Sequence, residues 1–226
     1  MAGRVIAITG AFGVLGSAVA EAAAAQGDHL ALIDFAPAGS GPEGALVLHG
    51  VDLTDAVQAG AAIDRIADHF GGLDALLNIA GGFVWEKIEG ADWQNWPRLF
   101  NLNVLTATNA SRAAIPHLRR SAAGRIVNVG SAAALKASLG MGAYAASKAG
   151  VHALTQALAE ELKGDNITVN AVLPSILDTP TNRADMPEAD PATWVAPGDL
   201  AAVMLFLASE AATAVTGALL PVTGRV

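Results

Sequence analysis

Cysteine is absent from the 226-residue chain. That absence excludes a disulfide framework, a thiolate metal site and a thiol nucleophile; it permits a reducing compartment and leaves any redox chemistry to a bound cofactor. Positive charge is scarce as well. Thirteen Lys plus Arg against 21 Asp plus Glu give a formal charge of −8, the wrong sign for a binder of phosphate backbones, so nucleic acid is not an expected partner. Long apolar runs are also lacking: Leu200 to Val222 is cut by Glu210 and Gly217, whereas a membrane span needs about 20 continuous apolar residues. Arg4 followed by an uncharged run to Ala20 superficially copies a signal peptide. Glycines at 10, 13 and 16 interrupt that run, and the expectation is a cytoplasmic protein with no membrane partner.

Apolar residues make up 53% of the chain and charged residues 15%, a composition that folds. The length suits one domain, 1–226, better than two. Short apolar runs at Arg4–Thr9, His29–Ile33, Ala45–His49, Leu73–Asn78, Arg125–Val129 and Ile167–Val172 read as buried parallel strands. Ala- and Leu-rich segments of helical length lie at about 15–26, 55–69, 97–119, 142–163 and 198–209, with a break expected at Ile115-Pro116. Strand alternating with helix predicts an α/β fold: an open, doubly wound, mostly parallel sheet of about seven strands with helices on both faces. Phe35–Gly44, with two prolines and three glycines, is expected to be a loop. Residues 175–197, Pro-rich and polar, are expected to form a lid over the site.

After the first strand comes Gly10-Ala11-Phe12-Gly13-Val14-Leu15-Gly16, opening a helix. Glycines at this place permit a tight turn and close approach of backbone to a pyrophosphate, whose charge the helix N-terminus attracts. Asp34 closes the second strand 18 residues after Gly16, near the spacing of about 20 for a ribose-binding carboxylate. It would accept from a 2′-hydroxyl and repel a 2′-phosphate, and no Lys or Arg occurs between Arg4 and Arg65, so NADH is expected to be preferred over NADPH. Asp52, ahead of Leu53, is either a partner for the adenine edge or a helix cap. Asn78-Ile79-Ala80-Gly81-Gly82 either brings bare backbone to the cofactor or makes an ordinary turn.

Tyr144 and Lys148 are four apart on a helical segment and share a face. A free phenol of pKa near 10 is only about one part in a thousand ionised at pH 7, and a neighbouring ammonium is expected to lower that pKa. Ser131 lies 13 residues before Tyr144, just past the fifth strand, and Asn103 lies in the preceding long helix. With these residues the chain resembles the short-chain dehydrogenase/reductase family over nearly its whole length. The resemblance implies a Rossmann-type fold, with Tyr144 as general acid/base, Lys148 lowering its pKa and holding the nicotinamide ribose, Ser131 orienting the carbonyl and Asn103 supporting a proton relay. It also implies a dinucleotide site built from Gly10, Phe12, Gly13, Val14, Leu15, Gly16, Asp34, Asp52, Leu53, Asn78, Ala80, Gly81, Tyr144, Lys148, Pro174, Ile176, Leu177 and Thr179. Two positions depart from the family pattern: Val14 stands where Gly is usual, and Ser175 follows Pro174 in place of Gly.

The implied function is NAD(H)-dependent hydride transfer between nicotinamide and a small ketone or aldehyde and its alcohol. Residues 177–190 are similar to dihydropteridine reductase, making pterin reduction the alternative, although the hydroxyl of Ser131 suits a carbonyl or alcohol oxygen better. A non-catalytic dinucleotide-binding protein is the third reading. Phe83, Trp85, Met141 and Trp194 either line a substrate pocket or pack in the core. Arg183 and Lys136 either receive a substrate carboxylate or are solvated charges. His49, His117 and His152 have no ligand companions at metal-site spacing, so no metal is expected. Association into a homodimer or homotetramer is expected by resemblance, through the helices around 97–119 and 142–163.

Overall fold

In the computed structural model, which describes residues 3–226, seven strands form one sheet. They are β1 (Val5–Thr9), β2 (His29–Ile33), β3 (Leu46–Leu48), β4 (Ala75–Asn78), β5 (Gly124–Val129), β6 (Ile167–Pro174) and β7 (Leu219–Val222). The order is β3-β2-β1-β4-β5-β6-β7, and every pairing is parallel. The seventh strand lies inside the apolar stretch that precedes Val222, where length alone does not separate strand from helix.

Side-chain alternation divides the core. All five residues of β1 are buried; Val5 and Ala7 join the layer made with α2 (Ala56–Phe70), α4 (Thr106–Leu118) and α5 (Gly142–Glu161), while Ile6 and Ile8 join the layer made with α1 (Val14–Ala25) and α7 (Pro197–Leu207). A period of two on a strand sends neighbours to opposite faces, which is why both faces need helices. Fully buried residues such as Ile63, Ile66 and Met204 each stabilise the fold by roughly 1.5–3 kcal/mol.

The long helical segment proves composite. α3 (Asn95–Phe100) runs into one π-helical turn, Asn101–Leu105, before α4 begins. Pro116 sits inside α4, which continues to Leu118; the proline forgoes one hydrogen bond to the residue four back without stopping the last turn, so the break falls two residues later than expected. Phe35–Gly44 contains no helix, and residues 175–197, expected as a lid, hold the short α6 (Pro180–Asp185) and a 3₁₀ turn at Pro191–Thr193. The ends of that excursion are pinned together, Asp178 N–H to the Val195 carbonyl at 2.8 Å and Val195 N–H to the Ile176 carbonyl at 2.9 Å.

Arg125 at the start of β5 is 1% exposed and has no carboxylate partner among the described residues. Its guanidinium donates to the Ser209 carbonyl at 3.1 Å, the Gly124 carbonyl at 2.9 Å and Thr213 Oγ1 at 2.9 Å. Arg4 Nη1 donates to the Ala208 carbonyl at 2.8 Å. Arg4 therefore meets the carbonyl-rich end of α7, where the helix dipole is negative, and Arg125 the turn just past it.

The turn joining β1 to α1 tells its glycines apart. A Cβ at Gly16 would strike the Gly10 carbonyl and come within 2.7 Å of Ala11 Cα, whereas at Gly13 the nearest atom is 3.5 Å away. Gly16→Ala is expected to lower the free energy of unfolding by about 1–3 kcal/mol through overpacking, and Gly13→Ala by less than about 1 kcal/mol; urea denaturation of the two variants checks the difference.

Candidate active site

The carboxyl ends of β1, β2 and β4 open onto a groove of about 990 Å³. Gly10, Phe12, Gly13 and Gly16 line it after β1, Asp34 after β2, Asp52 and Leu53 after β3, and Ala80 and Gly81 after β4. Gly10 has φ +64°, and a Cβ there would lie 2.8 Å from the Ala80 backbone. Two turns thus touch backbone to backbone, as a parallel sheet allows only where side chains are missing. Gly13 caps α1 without a side-chain hydrogen bond, so the first N–H groups of that helix remain available to an anion. Val14 is 46% exposed and Leu15 is buried; the branched side chain in the family's glycine position thus reaches solvent.

Asp34 is held from both sides. Its Oδ2 accepts from the Phe12 amide at 2.9 Å and its Oδ1 from the Ala36 amide at 3.0 Å, and no Lys or Arg bonds it among the described residues. Asp52 accepts from the Thr54 amide and hydroxyl at 2.9 and 2.6 Å. The helix cap is instead Asp55, whose carboxylate accepts from Val57 and Gln58 and is held below the usual value by those bonds. Asn78 does not line the groove: its side-chain amide turns into the helix layer, donating to Ser111 Oγ at 3.1 Å and Asn128 Oδ1 at 2.9 Å. Thr9, which sequence reasoning missed, supports the adjoining turn by accepting from the Ile79 and Ala80 amides at 3.0 and 3.1 Å. Also missed were Arg98, Asn101, Leu102 and Thr106 on the α3–π–α4 wall of the groove; only the π turn decides which face of that helix looks inward.

The second zone lies where α5 crosses the end of β5. Lys148 is 5% exposed, and its Nζ donates to the Val129 carbonyl at 2.7 Å. Burial pushes its pKa from 10.5 down to about 8. Ser131 Oγ accepts from the Ala133 amide at 3.1 Å, which leaves its proton free to donate. Tyr144 is partly buried, with the Phe83 ring edge-on at a centroid distance of 4.9 Å. Burial raises its pKa and the Ser131 hydroxyl opposes that rise. The expected lowering by Lys148 is not what the free protein shows: desolvation of the phenolate dominates, and the ammonium is bonded to a carbonyl.

Asn103 sits in the π turn, 2% exposed. Its Oδ1 accepts from the Gly82 amide at 2.9 Å and its Nδ2 donates to the Gly82 carbonyl at 3.1 Å and to Ser147 Oγ at 2.9 Å. A Cβ at Gly81 would lie 2.6 Å from Asn103 Oδ1 and 3.5 Å from Lys148 Nζ. Glycine there lets the β4 turn, the π turn and α5 meet at one point.

The residues named for substrate divide. Phe83 and Trp85 are 50% and 53% exposed, and Met141 caps α5 opposite Glu86. Trp194 is instead buried at 7%, so it packs rather than faces a ligand. Arg183 is engaged by Asp178 in a fork, Nε to Oδ1 at 2.6 Å and Nη2 to Oδ2 at 2.8 Å, which removes it as a ready carboxylate receptor. Thr179 caps α6 by accepting from the Asn182 amide at 3.1 Å, next to Leu177, whose carbonyl accepts from the Asn182 side chain at 2.7 Å. Ser175, following Pro174, donates to the Thr223 carbonyl at 2.8 Å, a bond that the family's usual glycine cannot make. Among the described residues no cluster of three His, Asp or Glu could hold a metal, and no helix is long and apolar enough to cross a membrane.

A family model described as short chain dehydrogenase matches residues 4–190. The chain is 33% identical to meso-2,3-butanediol dehydrogenase of Serratia marcescens, with 98% of this chain and 93% of that protein covered. Among solved structures, ligand-free aldohexose dehydrogenase of Thermoplasma acidophilum superposes with a TM-score of 0.89 at 29% identity, covering 99% of this chain and 94% of that one. Carveol dehydrogenase from Mycobacterium avium, in complex with NAD, gives 0.86 at 28% identity, covering 99% and 97%. The chain belongs to the short-chain dehydrogenase family and is an oxidoreductase of the Rossmann-like α/β type.

Two outcomes test the electrostatics. Stability should rise with pH from about 8 toward 10, because the unfolded chain, with lysine near 10.5, holds a proton that folded Lys148 has given up; the raised Tyr144 acts oppositely above its ordinary value of 10. Lys148→Met should abolish that rise and increase the free energy of unfolding at pH 7 by about 1–3 kcal/mol, read by urea denaturation across pH. Tyr144 is the chain's only tyrosine, so an ultraviolet titration of the cofactor-free protein should show a midpoint above 10.

Proposed function

We propose that the protein is an NAD(H)-dependent oxidoreductase that interconverts a small ketone or aldehyde and its alcohol, with Tyr144 as the proton donor and acceptor. The observation that carries this reading is the clasp of α5 on β5, in which Lys148 is fixed to the Val129 carbonyl and Ser131, two residues on, faces Tyr144. The groove supports a dinucleotide, since Gly10 and Gly16 occupy places that a Cβ would fill with clashes and α1 offers an uncapped N-terminus. The turn before α1 would hold its phosphates, Asp34 its adenosine ribose, and Lys148 its nicotinamide ribose.

When bound, the dinucleotide carries the hydride. Tyr144 gives its Oη proton to the carbonyl oxygen that becomes the alcohol, and in the reverse direction its phenolate takes that proton back. The Ser131 hydroxyl donates to the same oxygen, its proton left free while its oxygen accepts from the Ala133 amide. Asn103 keeps Gly82 and Ser147 in register beneath these groups. An oxygen-directed hydroxyl favours carbonyl chemistry over the reduction of a pterin ring nitrogen.

Asp34 supports a preference for NADH, since a 2′-phosphate would meet a carboxylate already fixed by two amides. Tyr144→Phe should reduce kcat for carbonyl reduction by roughly 10²- to 10⁴-fold while NADH binding persists. An assay of carbonyl compounds and a quinonoid dihydropterin with NADH checks this and the substrate class together; full activity of the variant, or turnover confined to the pterin, would sink the reading. NADPH should have a kcat/KM at least about tenfold below that of NADH, and Asp34→Asn should narrow the gap by removing the charge while keeping an acceptor.

A further inference from the structure

Three side chains of α5, one per helical turn, reach the end of β5: Tyr144, Lys148 and His152. The first two belong to the chemistry just described; His152 does not. It is 6% exposed, and its Nε2 accepts from the backbone N–H of Ser131 at 3.3 Å. Gly130 makes room for it, since a Cβ there would come within 2.6 Å of Nε2 and 2.8 Å of the adjoining ring carbon. Ser131 lies at the point where β5 gives way to a 3₁₀ turn, and its amide has left the strand ladder. A buried amide without an acceptor is costly, so the imidazole supplies what the sheet no longer does.

We propose that His152, as a neutral imidazole, is a positioning residue for this site: it holds the Ser131 backbone by its amide and so sets where the Ser131 hydroxyl meets the reacting oxygen. The inference rests on the carbonyl-reduction reading above, in which Ser131 touches substrate. Only an unprotonated Nε2 can accept. Burial, and then the Lys148 charge, push the His152 pKa below its ordinary value, consistent with that state. The bond from Lys148 to Val129 and the bond from Ser131 to His152 bracket Gly130, so both ends of a three-residue segment are tied to one helix face. Either tie alone leaves a pivot.

The test compares His152→Leu, which fills similar space without an acceptor, with His152→Gln, whose side-chain oxygen reaches about as far as Nε2. Thermal melts and NADH binding verify that each variant folds. In His152→Leu, exchange of the Ser131 amide, followed by NMR without any turnover, should quicken at least about tenfold. Its kcat should fall on the order of ten- to a hundredfold with the KM for NADH within about twofold, and His152→Gln should recover most of both losses. If His152→Leu does not fold, His152→Asn, whose acceptor falls short, replaces it. A Ser131 amide equally protected without the acceptor, an unchanged kcat, or a Gln variant no better than Leu overturns the inference. Tyr144→Phe run in parallel separates the two claims, because activity surviving that change overturns the acid/base reading itself, whereas the exchange measurement reports on His152 regardless.

Discussion

The hydrogen bond from the Lys148 ammonium to the Val129 carbonyl governs the site. It places a charge where water barely reaches, and that burial pushes the ammonium's pKa down to about 8. What the bond achieves is alignment: it registers α5 against the last residue of β5, and Tyr144 one turn earlier and His152 one turn later inherit that register. The buried Asn78–Asn128–Thr155 chain, with bonds of 2.9 and 2.8 Å, holds the same helix to β4 and β5 deeper in the sheet. Directional polar contacts of this kind specify one packing of helix on sheet where apolar contacts alone would tolerate several.

Close approach of backbone is the companion constraint. Gly10 against Ala80, Gly81 against Asn103 and Gly130 against His152 are three places where a methyl group would not fit. Each lies just past the carboxyl end of a strand, where an open parallel sheet gathers its ligands. Their absence of side chains lets elements far apart in the chain converge within one hydrogen bond of each other. Sheet order explains why these points cluster: β1, β4 and β5 are adjacent although β2 and β3 intervene in sequence.

Much of this was legible in the residues, and the reasons are physical. Buried parallel strands are continuous apolar runs, so six of the seven stood out; β7, in an apolar stretch shared with α7, did not. The glycine turn, Asp34, Ser131, Tyr144 and Lys148 could be named because their spacing follows from a strand end and a helical turn. The environment of each was hidden. Sequence gives the separation of Tyr144 and Lys148 along a helix but not how much water surrounds them, so the expected lowering of the phenol was opposite to what burial produces in the free protein. Trp194 and Arg183 are engaged elsewhere, one buried and the other taken by a neighbour five residues away, which spacing alone does not reveal. The π turn that turns Asn103 inward has no composition signal, and neither does the bond from Ser131 to His152.

Lys148 has no carboxylate partner among the described residues, and that omission bears on its work. A resident anion would satisfy the ammonium in the ground state and leave little attraction for charge that develops during reaction. A neutral carbonyl keeps the ammonium in place while leaving most of its field unspent. Beside it the Tyr144 phenol is protonated in the free protein, pushed that way by burial, which is the state an acid needs before it can donate. The two groups are therefore displaced in opposite directions by one cause: dry surroundings penalise phenolate and ammonium alike. In the mechanism proposed above, charge developing on the oxygen that Tyr144 would protonate is attracted by that ammonium and offsets part of the penalty.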